Sequence, residues 1–92
     1  MSEDKLNKRV SRGKRAKLLM QDELLVEAFE TLKQEYVAFL MESHPSEGAN
    51  REKLYIAFNM VGKVQKHLHD VMSDGHLAEH ELARLNDAPS RE

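Results

Sequence analysis

The chain has 92 residues, a length that suits one small domain and argues against a two-domain enzyme. Cys is absent, which removes disulfides and thiolate chemistry, and 40% apolar against 33% charged residues fits long solvent-washed helices better than a turn-rich β domain. The net charge of −2 divides into +5 over residues 1–17 and −7 over residues 18–92, so a cationic segment precedes an anionic body.

Residues 1–13 show little apolar periodicity, with Leu6 and Val10 the only large apolar side chains after Met1. They are expected to form a basic, disordered arm that ends at Gly13. From Lys14 to Glu42 the pattern turns helical. Leu18, Leu25, Leu32 and Phe39 recur every seven residues, with Phe29 and Tyr36 four positions beyond Leu25 and Leu32. The opposite face carries Glu23, Glu27, Glu30 and Glu35. Pro45 ends this helix, because the residue before proline avoids the helical region.

The stretch Ser43 to Asn50 reads as a loop, with Asn50 as the N-cap of a second helix over 51–73. Leu54, Ala57, Val61, Val64, Leu68 and Val71 give that helix a heptad seam. Asp74-Gly75 suggests a left-handed C-terminal cap. A short third helix over 76–86 follows, and residues 87–92 read as a frayed tail. The expected fold is all-α: an antiparallel helical hairpin plus a short third helix.

A second set of apolar side chains lies off the seam: Met20, Leu24, Val37 and Met41 on the first long helix, Tyr55, Ile56, Phe58, Met60 and Met72 on the second. Two helices cannot cover both sets, which predicts a homo-oligomeric helical bundle. Tyr55, Phe58 and Gly62 are the candidate partner or oligomer face. A mid-helix glycine such as Gly62 costs about 1 kcal/mol relative to alanine, so it fits either a close helix approach or a tolerated exposed position.

Chemistry is sparse. His76-Leu77-Ala78-Glu79-His80 matches an inverted zinc-hydrolase pattern, and His76 and His80 are the candidate metal ligands. Hydrolase chemistry needs a third protein ligand held by a sizeable fold, and although His67 and His69 bring the count to four His within 14 residues, a solvated surface cluster is the expected outcome, with no cofactor and no catalytic residue. The basic segment is the stronger lead. Arg9, Arg12, Lys14 and Arg15 are candidate contacts to nucleic-acid phosphates or to an acidic partner. The longest apolar run, Tyr36 to Met41, has six residues against about 20 for a membrane span, so no membrane partner is expected and the cytoplasm is the expected location.

The runs RGKRAKLLMQDELLVEAFETL, REKLYIAF and VGKVQKHLHDVMSDGHLAEHEL resemble small α-helical proteins encoded by tailed bacteriophages and prophages. The resemblance covers Arg12 to Leu85 and implies a role in virion assembly, packaging or host inhibition, with no catalytic residue. Taken together, the sequence suggests a non-enzymatic module that binds itself and a protein partner. A nucleic-acid-binding accessory protein and a His-ligated metal protein are the alternatives.

Overall fold

The computed structural model describes residues 2–87, which, after Ser2, lie in or between three α-helices. Helix α1 spans Glu3–Gln21, α2 spans Glu23–Glu42 and α3 spans Gly48–Asp87. The all-α expectation holds, but three boundaries differ from the sequence reading. The expected frayed tail beyond Asp87 lies outside the described residues.

The first difference is α1 itself. The expected disordered arm at 1–13 is helical. Ser2 Oγ accepts the Lys5 amide at 3.2 Å, which caps the first turn. Glu3 and Asp4 sit where the helix dipole favours negative charge. The Lys, Arg, Leu and Ala residues that follow are good helix formers.

The second difference is a break at Asp22, inside the expected helix 14–42. Asp22 has extended backbone (φ −71°, ψ 116°), and its side chain accepts the Leu25 amide at 3.0 Å as the N-cap of α2. The seven-residue recurrence of Leu18 and Leu25 runs straight across this cap, which is why periodicity alone hides it.

The third is α3, one 40-residue helix where two were expected. The structure corrects the short third helix at 76–86 and the cap at Gly75. Among the described residues no glycine has positive φ, so Gly75 continues the helix. The α3 start also lies two residues before the expected Asn50 cap. The Arg51 amide donates to the Glu47 carbonyl at 2.9 Å, so the first turn is already closed there.

The chain forms two compact units. The first holds residues 2–20 and 67–87, so α1 pairs with the C-terminal part of α3. Its buried residues are Leu6, Gly13 and Ala16 from α1 with Gly75 and Ala78 from α3. The helices meet backbone to backbone at the glycines. A Cβ built on Gly75 would lie 2.7 Å from the Gly13 Cα and 3.1 Å from the Arg9 carbonyl oxygen. Gly75 thus provides close approach rather than a turn.

The second unit, residues 21–66, is a hairpin of α2 and the N-terminal part of α3. Its turn runs from Ser43 to Glu47, with Ser43 Oγ donating to the Leu40 carbonyl at 2.7 Å. Pro45 lies in this turn, as expected. Leu25, Phe29, Tyr36 and Leu40 of α2, and Leu54, Ala57, Phe58 and Val61 of α3, are the half-buried inner positions. No residue of this unit is fully buried.

Candidate functional site

Two surfaces stand out, one on each unit. On the hairpin, the inner positions leave apolar side chains uncovered on both flanks. At about 100° per residue, Leu24, Leu32 and Phe39 fall on one flank of α2, and Val26, Val37 and Met41 on the other. For antiparallel helices the first set shares its side with Ile56, Met60 and Val64 of α3. The second shares its side with Tyr55 and Gly62. The larger flank is the first: Phe39, Ile56, Met60 and Val64 are each about half exposed, and Leu24 is 74% exposed. Scattered exposed leucines are ordinary, but six large apolar side chains on one flank make it the candidate interaction surface.

The expected partner residues divide. Tyr55 is exposed, Phe58 is half-buried on the inner side, and Gly62 has nothing within 4 Å of a built Cβ. Gly62 therefore makes no close helix approach within the chain.

On the first unit, α1 carries net charge +5 and residues 67–87 carry −4, so the two partners attract along their length. The central contact is a two-pronged pair: Arg9 Nε donates to Asp74 Oδ2 at 2.9 Å, and Arg9 Nη2 to Asp74 Oδ1 at 2.8 Å. The hydrogen bonds from Arg9 hold the Asp74 carboxyl below the usual carboxylate range, and the Arg12 charge acts in the same direction. Arg9, one of the expected phosphate contacts, is therefore committed to an internal ion pair.

The other basic residues separate into two groups. Lys5, Lys8, Arg12 and Arg15 form one row along α1, on the side of the Arg9–Asp74 pair. Arg12 and Arg15 border an open hollow of about 170 Å³ that Leu19, His67 and Val71 also line. Lys14 and Lys17 lie on the opposite side and border another hollow, of about 200 Å³, with Met72, His76 and Glu79. Arg12, Lys14 and Arg15 are all exposed.

His76 and His80 both fall in the interior of α3 rather than in the first turn of a short helix. His76 Nδ1 is 3.9 Å from Glu79 Oε1. Among the described residues no group of three His, Asp or Glu side chains is placed to hold a metal ion. His44 is occupied in the hairpin turn, where its Nδ1 accepts the Ser46 amide at 3.1 Å.

Sequence reasoning missed Leu6, Gly13, Ala16, Gly75 and Ala78, the core of the first unit. A signal was present on a register of its own: Leu6, Gly13 and Met20 recur every seven residues, whereas the recurrence of Leu18 and Leu25 continued toward the N-terminus falls on Ser11 and Asp4. Two of those three are too weakly placed or too small to register as an apolar stripe. No helix among the described residues is long and apolar enough to cross a membrane. Comparison with known proteins found no matching family, no similar curated protein and no similar solved structure.

Proposed function

We propose that the protein is a non-enzymatic helical interaction module that self-associates through its hairpin unit and presents the assembly to a protein partner. The observation that carries this reading is a two-helix unit without one fully buried residue, whose larger flank exposes Leu24, Leu32, Phe39, Ile56, Met60 and Val64.

A second copy fits that flank on two grounds. The exposed side chains offer several hundred Å² of apolar surface, on the order of the roughly 800 Å² per partner that a specific interface uses once its polar rim is added. Charge also matches. Helix α2 has net charge −4 and residues 48–66 have net charge +3. A two-fold arrangement that sets α2 of one copy beside α3 of the other brings opposite signs together. Each exposed ion pair contributes only about 0–1 kcal/mol, so charge orients the pairing while apolar burial drives it. The product is a four-helix bundle around the hairpin units. The resemblance of its sequence runs to small phage proteins would extend this reading to a role in virion assembly, packaging or host inhibition.

The test is light scattering coupled to size-exclusion chromatography at micromolar concentration. A mass at a multiple of 10.6 kDa supports the reading. Met60→Glu, which buries a charge in the interface, should return the protein to one copy. A wild-type monomer across the micromolar range refutes self-association.

A further inference from the structure

The basic row on α1 is a second surface, independent of the hairpin flank. We infer that Lys5, Lys8, Arg12 and Arg15 form a backbone-binding ridge for duplex nucleic acid, read without sequence preference.

The argument starts from what the carboxylates of the same unit already do. Asp74 is held by Arg9, Glu81 is paired with Arg84, and Asp70 is also engaged. No ion pair among the described residues holds Lys8, Arg12 or Arg15, and all four members of the row are exposed. Docking of α1 fixes these cations in a line, which the disordered arm expected from sequence would not do. Their steps of three and four residues place them along one helix side over about 15 Å. The row carries four cations, so it can neutralise at most about four phosphates.

Three features narrow the ligand. The first unit contains no Phe, Tyr or Trp, so it lacks the stacking platforms that single-strand binders use. The row consists of Lys and Arg alone, which contact phosphates without reading bases unless inserted into a groove. Arg12 and Arg15 also border the hollow with His67, where a phosphate oxygen can be approached by two guanidinium groups at once.

The opposite side of the unit supplies an internal control. Lys14 and Lys17 carry the same charge as Arg12 and Arg15 but sit beside Glu79. If net charge alone governed binding, removing either pair would have the same effect.

The experiment uses the full chain and a fluorescein-labelled DNA duplex of about 20 base pairs, read by fluorescence anisotropy between about 50 and about 200 mM salt. Four phosphate contacts give a slope of log affinity against log salt of about −3.6. Arg12→Ala/Arg15→Ala should reduce it to about −1.8, while Lys14→Ala/Lys17→Ala leaves it near the wild-type value. Circular dichroism confirms that both variants stay helical. Equal losses in the two variants overturn the ridge, as does absence of binding at the lowest salt. Tighter binding to a single strand of the same length, or displacement by poly-glutamate at equal charge concentration, overturns duplex nucleic acid as the ligand.

Discussion

Replacing Gly75 by alanine and Gly62 by alanine is the same chemical change at two positions of one helix, and the structure predicts opposite outcomes. Alanine is the better helix former by about 1 kcal/mol, so both variants start with that gain. At Gly62 nothing lies within 4 Å of the new methyl group, and the gain should survive almost whole. At Gly75 the methyl carbon would lie 2.7 Å from the Gly13 Cα and 3.1 Å from the Arg9 carbonyl oxygen. Ordinary contact between carbons begins near 3.5 Å, and both obstructing atoms are backbone, so no side chain can swing aside. The helices must separate by on the order of 1 Å, which loosens the packing around Leu6, Ala16 and Ala78. Overpacking of this kind costs about 1–3 kcal/mol, leaving Gly75→Ala destabilised by about 0–2 kcal/mol and Gly62→Ala stabilised by up to about 1 kcal/mol. For a chain of this size 1 kcal/mol moves Tm by about 4–8 °C, so the two variants should melt apart by several degrees when followed by circular dichroism. Both must be measured at one protein concentration, since association raises apparent stability. A Gly75→Ala protein that melts as high as Gly62→Ala would refute the close helix crossing.

Asp22→Ala removes the cap of α2 and should cost about 1 kcal/mol, read as a lower urea midpoint; Asp22→Asn, which keeps the accepting oxygen, should recover most of it. Asp74→Asn tests the Arg9 pair through pH. The Asp74 carboxyl titrates lower in the folded protein than in the unfolded chain, so its contribution is present above the unfolded value and is lost as pH falls through the folded value. Wild type should therefore lose more Tm than the variant between neutral pH and acid below the ordinary carboxylate range; parallel melting profiles would count against a stabilising pair.

The helical class and the α2–α3 hairpin were legible because Leu25, Phe29, Tyr36 and Leu54, Ala57, Val61 repeat with the helical period. The first unit was not, for three physical reasons. Its buried positions include Gly13, Ala16, Gly75 and Ala78, which add almost nothing to an apolar stripe. Asp22 interrupts the backbone without interrupting the period. Asp74-Gly75 has two valid local solutions, a left-handed cap and a continuing helix with a bare backbone, and only contact with Gly13 selects the second. For the surfaces, counting apolar residues beyond the seam found Leu24, Ile56 and Met60, but Leu32, Phe39 and Val64, read as seam positions, are exposed, and Phe58, read as lying off the seam, is half-buried. The basic residues were visible as a cluster, yet their sorting depends on α1 being helical. That order pairs Arg9 internally, places Arg12 and Arg15 on one side and moves Lys14 to the other.

The participation of Leu6 and Gly13 in the first unit changes how the N-terminus can be handled. A truncation designed to remove a dispensable basic tail would also strip the cover from Ala78 and Gly75. Lost binding would then report unfolding rather than lost charge. Point changes at the protruding cations avoid this ambiguity, and an affinity tag attached ahead of Ser2 is best separated by a flexible spacer so that the capping serine keeps its place.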